Sequence, residues 1–517
     1  MLKTVQAVPR FLLEPLRRGL QWAFGANDNP LHWLGALTIF FFWVVLVSGI
    51  YVFVFFETSI FGAYQTVDYL THEQWYLGGV MRSLHRYASD AAIITLALHM
   101  LSEFASGRYR GARWFSWFTG IPLLWMVFPL GITGYWLVWD QFAQYIALAT
   151  SELFDALPIF TDPMARNFLT PDSLSDRFFT LLAFLHLLGI PIALVFGIWF
   201  HVMRLSHPRV NPPLRLAIGS LAMLLVLSLL RPAVSHAPAD LSVAPHDLAF
   251  DWFYMLPYPL LDYGSPLLFW GVLVGSSLLL SLLPWMPPLR RAPAAVVDPG
   301  NCNGCGRCVA DCPFGAVIMH PRDDGSRYKE IAVVDPALCT ACGICAGACP
   351  SSTPFRSIEQ LVSGIDMPTL PIRDMRSASR AALDTVQAPI KVLVYGCDHA
   401  IDVHAWAGAE VATVSLPCTG NLPPSFIEFA LRREGADGVF LTGCNTGDCF
   451  FRQGGAWTEA RIAGQREPHL RGNVDAQRVH IAWGAAGDAA RVRRELGTFI
   501  EQLRGLENPS QGQTAHG

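Results

Sequence analysis

Four histidines at matched spacings are the first residues in this sequence that point to a chemistry. His85 and His99 lie 14 residues apart in one long apolar stretch, and His186 and His201 lie 15 residues apart in another. Fourteen residues is close to four helical turns, so both histidines of a pair face one side, about 21 Å apart along the helix axis. Two such helices packed together offer two stacked bis-imidazole sites, the geometry that two b-type haems require. The alternative is four intramembrane histidines that only hydrogen-bond between helices.

All 12 cysteines follow residue 300, in three groups of four. This grouping suits metal clusters in a reducing compartment better than disulfides. The first eight form the repeated run Cys-x-x-Cys-x-x-Cys-x-x-x-Cys-Pro, which resembles bacterial ferredoxins with two [4Fe–4S] clusters; structural zinc sites rarely show this compact repeat. In those ferredoxins the fourth cysteine of each run binds the other cluster. The implied ligand sets are Cys302, Cys305, Cys308 and Cys349 for one cluster, and Cys339, Cys342, Cys345 and Cys312 for the other.

The third group comprises Cys397, Cys418, Cys444 and Cys449, each beside a predicted strand end or a glycine. Segments 391–395 and 438–442 are predicted strands, and 425–434 is a predicted helix between them. Loops at strand ends can bring thiolates together on one metal centre. Four thiolates suit a [2Fe–2S] cluster, with zinc as the alternative.

The elements that must position these residues divide the chain into a membrane part and two soluble parts. The composition is 52% hydrophobic and 15% charged, which excludes an ordinary soluble protein. The net charge of −4 and the lack of a basic, aromatic-interleaved patch give no sign of nucleic-acid binding. Six membrane-spanning helices are predicted, at about 32–56, 78–105, 114–138, 177–206, 214–232 and 265–285.

Glycines recur at the depth of the histidines. Gly35 and Gly49 lie 14 residues apart in the first span, as do Gly120 and Gly134 in the third. Because a glycine has no side chain, these positions let a flat porphyrin approach the backbone.

Basic loop residues indicate the orientation. They lie before the first span and after the second, fourth and sixth: Lys3, Arg10, Arg17, Arg18, Arg108, Arg110, Arg113, Arg204, Arg209, Arg215, Arg290 and Arg291. By the positive-inside rule, the N-terminus and everything after residue 290 are cytoplasmic, in a multi-pass protein of the inner membrane.

The membrane part resembles the cytochrome b family of quinol oxidoreductases. The residues that carry the resemblance are the paired histidines, Arg82-Ser-Leu-His85-Arg86 and Thr133-Gly-Tyr-Trp-Leu-Val-Trp-Asp140-Gln141. The 15-residue spacing and the Trp-Asp-Gln ending look most like the plastoquinol branch. The resemblance implies haem pairs His85–His186 and His99–His201, with Arg82 and Arg86 as contacts of the haem propionates. It also implies a homodimer.

Two segments bear on quinone chemistry. Where the family has Pro-Glu-Trp-Tyr at its periplasmic quinol site, this sequence has Phe250-Asp251-Trp252-Phe253-Tyr254. The resemblance therefore makes Asp251 the candidate acceptor of a quinol proton; otherwise it is a solvated loop residue. His207 is a candidate contact of a second quinone or a histidine at the lipid interface. No cysteine precedes residue 300, which excludes a covalently attached third haem, and the seventh and eighth helices of long cytochromes b are missing.

The C-terminal region resembles the D subunit of methyl-viologen-reducing [NiFe] hydrogenase. The motifs are Gly435-Ala-Asp-Gly-Val439, Gly443-Cys444 and Gly447-Asp-Cys449. That subunit carries a [2Fe–2S] cluster and passes electrons to heterodisulfide-reductase-type flavoproteins. The sequence departs from the family at Ala400, where a cysteine is usual, and at Phe450, where a histidine is usual.

Together these features predict a quinone-linked oxidoreductase subunit that relays electrons between the quinone pool and a soluble partner. The chain order places the redox centres as two haems, then two [4Fe–4S] clusters, then the [2Fe–2S] cluster. The partner is a heterodisulfide-reductase-like flavoprotein, a hydrogenase or a formate dehydrogenase. Two alternatives remain: a quinol-oxidising, potential-driven or bifurcating donor to low-potential carriers, and a membrane anchor with structural clusters.

The predicted fold class is a six-helix membrane bundle followed by a small α+β ferredoxin domain and a small α/β iron–sulfur domain. The predicted domains are an amphipathic lead-in at 1–30, the di-haem membrane domain at 31–290, the ferredoxin domain at 296–352, the [2Fe–2S] domain at 390–505 and a disordered tail at 506–517. A polar linker is expected over 351–389.

Overall fold

The computed structural model describes residues 2–159, 163, 169–170, 173–256, 258, 261, 264–287, 292–445 and 447–507. Arg290, Arg291 and the tail from residue 508 lie outside these residues. Helices make up the described N-terminal half, and two parts that contain β-sheets follow it.

The N-terminal half is built from helices of very different length. They are α1 Leu2–Phe24, α2 Leu34–Phe55, α3 Gly62–His72, α4 Val80–Ala105, α5 Trp114–Val138, α6 Gln141–Asp155, α7 Asp176–Val202, α8 Leu214–Leu230 and α9 Pro266–Leu282. A π-helical turn, Leu185–Gly189, lies within α7 and contains His186. Such turns are rare and are frequently found at functional sites.

Five stretches of the described residues are long and apolar enough to cross a membrane: Leu34–Phe55, Trp75–Ala105, Gly111–Val138, Asp176–Val202 and Pro266–Trp285. They correspond to five of the six predicted spans and make this a multi-pass membrane protein. The remaining span, 214–232, is α8, an apolar helix of 17 residues. That length is at the lower limit for crossing the hydrocarbon core, so the sixth span stays a prediction.

Two helix pairs build the bundle. α2 packs along α4, and α5 packs along α7. A hydroxyl pair links the first two helices, since Thr38 Oγ1 lies 3.0 Å from Thr95 Oγ1. Small or hydroxyl-bearing residues are typical of such contacts, because lipid offers no hydrophobic force to press helices together.

The lead-in is a helix, α1, with exposed apolar residues such as Phe11 and Trp22. It is fastened to the end of α4, where Gln6 Nε2 donates to the carbonyl of Phe104 at 2.9 Å and Arg10 donates to the carbonyl of Ala105. The predicted amphipathic helix is therefore present, at the same end of the bundle as His99.

The ferredoxin part contains two antiparallel strand pairs and two short helices. Strand β2 Val317–Pro321 pairs with β3 Glu330–Val334, and β1 Val296–Val297 pairs with β4 Ile365–Asp366. The helices are α10 Arg307–Ala310 and α11 Ile344–Ala348. Each begins after a glycine at φ near +75°, Gly306 or Gly343, a conformation that other residues rarely adopt.

The predicted linker 351–389 is wrong in part, because it contains β4 and a helix, α12 Ile372–Asp384. The apolar residues of α12 are few and recur at helical spacing: Ile372, Met375 and Leu383 are buried, and the rest of the helix is mainly polar. The polar composition hid this amphipathic period.

The C-terminal part is a four-stranded parallel sheet in the order β6-β5-β7-β8. Its strands are β5 Val392–Cys397, β6 Val411–Leu416, β7 Gly438–Gly443 and β8 Val479–Trp483, and its helices are α13 Pro424–Arg433, α14 Gly454–Ile462 and α15 Ala489–Glu507. Both predicted strands and the predicted helix between them are present within three residues of their expected ends. Since parallel strands end at the same edge, Cys397, Cys418 and Cys444 meet there.

Candidate metal centres

His85 and His186 face each other across the bundle. Their ring centroids are 6.2 Å apart. A metal bound to an imidazole nitrogen lies about 2 Å from it, so two rings on opposite sides of one iron have centroids about 6 Å apart. Nδ1 of His85 lies 2.9 Å from the carbonyl oxygen of Val45, and Nδ1 of His186 lies 2.9 Å from that of Leu130. A carbonyl can only accept, so Nδ1 carries the proton and the Nε2 lone pair is free for a metal.

His99 and His201 occupy the other end of the same two helices. Nδ1 of His201 lies 3.1 Å from the hydroxyl of Thr119. Both rings line one cavity of about 1050 Å³ together with His85 and His186. The matched spacings therefore bring all four predicted ligands to one elongated space inside the bundle.

Each predicted glycine lies against one of the four imidazoles. A Cβ on Gly49 or Gly134 would stand 2.7 Å from the ring of His85 or His186. A Cβ on Gly35 would stand 3.3 Å from the ring of His99, and one on Gly120 would stand 3.2 Å from the ring of His201. Each ring can thus pack against the neighbouring helix only because these positions lack a side chain, and in this position the paired imidazoles can lie on the two sides of a flat macrocycle.

A buried charge cluster lies at the His85 end of the cavity. Asp251 is only 6% exposed, and its carboxylate lies 3.2 Å from Arg86. The hydroxyl of Tyr135 donates to it at 2.6 Å, and the N–H of Phe253 donates to it at 2.8 Å. A solvated loop aspartate would have none of these partners, so the structure does not support that alternative.

Two further residues of this cluster, Asp90 and Tyr135, were not predicted as site residues. Arg86 forms an ion pair with Asp90 as well as with Asp251. The sequence feature that could have identified Asp90 is its position four residues after Arg86 on a helix. This spacing allows an ion pair, but such pairs are also common on protein surfaces. Arg82 lines the cavity too, and it donates to Thr71 and, at 2.7 Å, to the hydroxyl of Ser235.

The ferredoxin cysteines are grouped as the two-cluster signature implies. Burial, followed by the charges of Cys349, Cys305 and Cys302, raises the pKa of the Cys308 thiol to about 12. Burial also raises the pKa of Cys342 to about 12, and the cysteines that add to this effect are Cys312 and Cys339. Cys349, the last cysteine of the second run, therefore lies close to Cys308 of the first run. In the same way, Cys312 of the first run lies close to Cys342 of the second.

The third cysteine group forms a ring of thiols. Cys397 and Cys449 each hydrogen-bond to both Cys418 and Cys444, and these bonds lower the pKa of the Cys397 and Cys449 thiols. No group of three or more His, Cys, Asp or Glu side chains among the described residues is gathered as a single-ion site. Thiolates of an iron–sulfur cluster bind different iron atoms, so this finding concerns single ions and not clusters. At the position where the hydrogenase subunits have histidine, the Phe450 ring stacks on His399 at 3.6 Å.

The third group is adjacent to both of the other kinds of site. Cys449 lines the cavity that contains His99 and His201. Cys418 is buried in the same apolar cluster as Cys342 and Cys345 of the ferredoxin part. The last group is therefore adjacent to the cavity, and so is the ferredoxin part, whose Phe314 and Leu338 also line it. The order of redox centres expected from the chain stays a prediction.

Buried ion pairs hold the two soluble parts together and fix them to the bundle. The Arg461 guanidinium, almost fully buried, pairs with Asp311 and donates to the carbonyl of Gly420 at 2.9 Å. His207 also lies at this junction, edge-on to Trp457 at 5.6 Å and 3.3 Å from the carbonyl of Ala310. His207 thus contacts both soluble parts, and its contact with a second quinone stays a prediction.

Comparisons with known proteins divide the chain in the same way. Three family models match: "Cytochrome b/b6/petB" over residues 26–208, "4Fe-4S dicluster domain" over 292–353 and "Methyl-viologen-reducing hydrogenase, delta subunit" over 392–507. Cytochrome b6 of Prochlorococcus marinus (strain MIT 9515) and that of Synechococcus sp. (strain CC9605) are each 25% identical over 186 residues, which is 36% of this chain and 85% of theirs.

One solved structure, titled "Hyperthermophilic respiratory Complex III", aligns with a TM-score of 0.39 and 18% identity, covering 49% of this chain and 74% of that one. The family matches confirm the three predicted resemblances. The cytochrome b match implies haem b, and the dicluster match implies iron–sulfur clusters. The chain is a membrane electron-transfer protein.

Proposed function

We propose that this chain links the membrane quinone pool to a soluble redox partner. His85–His186 and His99–His201 would each hold one haem b, the eight ferredoxin cysteines two [4Fe–4S] clusters, and the third cysteine ring one [2Fe–2S] cluster. When bound, these groups supply one-electron transfer. The observation that carries the proposal is the single cavity that all four histidines line, with the Asp251 cluster at one end and Cys449 at the other.

The orientation follows from the loops. Arg108, Arg113 and Arg209 belong to the basic loops that predict a cytoplasmic face, and all three bind the C-terminal domain. Both iron–sulfur domains then lie in the cytoplasm, and the Asp251 cluster lies near the periplasmic surface.

Asp251 is proposed as the group that exchanges a proton with the quinone. A quinol must lose two protons when it gives up two electrons, so its site needs an acceptor within hydrogen-bond reach. Arg86 and Tyr135 hold the Asp251 carboxylate in a fixed position at the cavity wall. Arg86 thereby has a role in orienting the acceptor, in addition to the propionate contact that the resemblance implies.

The soluble partner is proposed to be a heterodisulfide-reductase-like flavoprotein, a hydrogenase or a formate dehydrogenase. Support comes from the match of residues 392–507 to a hydrogenase delta subunit. Within the ferredoxin sets Cys305 is exposed, which supports the approach of a partner to that set. A homodimer is proposed from the cytochrome b resemblance alone.

The test is anaerobic spectroscopy on the purified chain while a quinol analogue is added. Optical bands report the haems, and low-temperature EPR reports the clusters. We expect prompt haem reduction, and a rate lower by roughly 10²-fold or more in Asp251→Asn, as for the loss of a general base. The matched control is Asp68→Asn, which removes a carboxylate paired with His72 on the surface of α3.

Two outcomes would refute the proposal. One is a purified, folded chain without haem or without iron–sulfur signals. The other is a fully loaded chain in which neither quinol nor chemically reduced clusters change the haem bands, as the membrane-anchor alternative requires.

A further inference from the structure

A loop of the C-terminal domain closes the His99–His201 end of the cavity. Residues 447–453, which follow β7 and include Cys449, contribute Gly447, Asp448, Phe450 and Arg452 to the cavity wall. The loop also reaches the start of the bundle, since a Cβ on Gly447 would stand 3.2 Å from Cβ of His32. A wall of the proposed haem site in the membrane domain is thus built by the iron–sulfur domain.

The backbone of this loop is held by arginines of the membrane domain. Arg209 donates to the carbonyls of Gly447 at 3.1 Å and of Arg452 at 2.9 Å. Arg113 donates to the carbonyl of Phe450 and lies over its ring at 4.4 Å. These contacts fix the loop without using the side chain of Arg452.

The guanidinium of Arg452 is short of partners. Its Nε is buried and has no hydrogen-bond partner among the described residues. The Nε of Arg108 is unpaired in the same way, but its other nitrogens form ion pairs with Asp448 at 2.6 Å and Glu103 at 3.5 Å. Arg452 also has φ of +74°, a strained backbone conformation for a residue with a side chain. Such strain and a buried, unpaired donor are both features of binding sites.

We infer that Arg452 positions the haem between His99 and His201 by binding a propionate carboxylate. A buried carboxylate needs a charged or hydrogen-bonding partner, and a guanidinium can bind it with two parallel hydrogen bonds. Arg108, whose Nε also lacks a partner among the described residues, lies on the same wall and can bind the second carboxylate. The membrane domain supplies the imidazoles, and the iron–sulfur domain supplies the cation.

The inference rests on the proposed function only in assuming a haem at this pair. Its test is optical redox titration of the full-length protein, with haem content measured in parallel. Arg452→Gln should retain both haems but lower the midpoint potential of one, because removing a nearby positive charge stabilises the oxidised form. A charge at this range is worth about tenfold in the equilibrium constant, which is about 59 mV for one electron.

Three variants complete the design. Arg452→Lys keeps the charge and should recover most of the shift. Arg494→Gln, exposed on α15, should leave both potentials unchanged. Arg209→Gln weakens the loop anchorage but leaves Arg452 in place; because Arg209 also lines the cavity, a shift smaller than that of Arg452→Gln is expected. Limited proteolysis of each variant shows whether the domain stays docked.

The outcomes separate this inference from the proposed function. One lowered potential in a docked domain supports it. Unchanged potentials in Arg452→Gln, or an equal shift of both haems, overturn it while the proposed function stands. A wild-type protein with no haem at His99–His201 overturns both. If Arg452→Gln does not fold, Arg452→Asn replaces it, because Asn tolerates the positive φ of this position better than other side chains do. One lowered potential in that variant supports the inference, and unchanged potentials overturn it.

Discussion

Gly49 and Gly134 give a steric test of haem binding at the His85–His186 pair. A methyl group at either glycine would lie 2.7 Å from the nearest ring carbon. Carbon atoms in ordinary contact are about 3.5–4.0 Å apart, so the ring must move by roughly 1 Å. The rings cannot turn away freely, because a backbone carbonyl holds each Nδ1 at 2.9 Å.

Alanine at either position should therefore weaken haem binding at this pair. Overpacking a tight interior costs about 1–3 kcal/mol, which is about 5-fold to 150-fold in the dissociation constant. Gly35→Ala and Gly120→Ala should cost less and act on the other pair, since their methyl groups would lie 3.3 Å and 3.2 Å from the rings. The predicted order of these losses in haem affinity follows only from the distance between each added methyl group and its imidazole ring.

The assay is the haem-to-protein ratio of each purified variant and the rate at which haem passes to an apo-globin acceptor. Gly219→Ala and Gly275→Ala are matched controls, because both lie in apolar helices with no atom within 4 Å of the added methyl group. If Gly49→Ala keeps two haems and releases them no faster than the controls, the reasoning that places a porphyrin beside these glycines is wrong.

Two further predictions concern buried carboxylates. The pKa of Asp140 is lowered because, although burial opposes it, the side chain and backbone of His236 hydrogen-bond to it. A lowered pKa contributes stability above the unfolded value of about 4, which is lost as the pH falls through the folded value. Asp140→Asn should therefore flatten the fall in the thermal midpoint below pH 4, and an unchanged slope would contradict this. Asp311→Asn should leave Arg461 buried without its partner, at a cost of about 3–5 kcal/mol. Urea unfolding of the soluble domains measures it, with Asp374→Asn as the control, because Asp374 and its partner Arg373 are both exposed; equal midpoints would refute it.

The parts of the fold that depend on short-range patterns could be predicted from the sequence. Helical spacing placed His85 and His99 on one face, and it gave five of the spans. The repeated cysteine run predicted a two-cluster ferredoxin part, and the family match over residues 292–353 confirms that resemblance. The four glycines were identified from depth alone, and each lies against its own imidazole.

Features that depend on docking could not be predicted. Nothing local in the sequence around Cys449 shows that its loop closes a cavity more than 200 residues earlier in the chain. Arg113 and Arg209 hold the loop by donating hydrogen bonds to its backbone carbonyls. Every residue has a backbone carbonyl, so the residue types of the loop do not reveal these contacts. The sheet pairing of Val296–Val297 with Ile365–Asp366 was missed for a similar reason, since a two-residue strand has too little pattern to recognise.

The π-helical turn at Leu185–Gly189 accounts for the unequal spacing of the two histidine pairs. Each residue of a regular helix adds about 100° of rotation, so a 15-residue interval ends roughly 100° from where a 14-residue interval ends. A π-helical turn takes up one extra residue, and His201 therefore faces the cavity as His99 does. The turn thus compensates for the rotation that the additional residue would cause in a regular helix. One residue more can be accommodated here while both candidate metal ligands still face the same side.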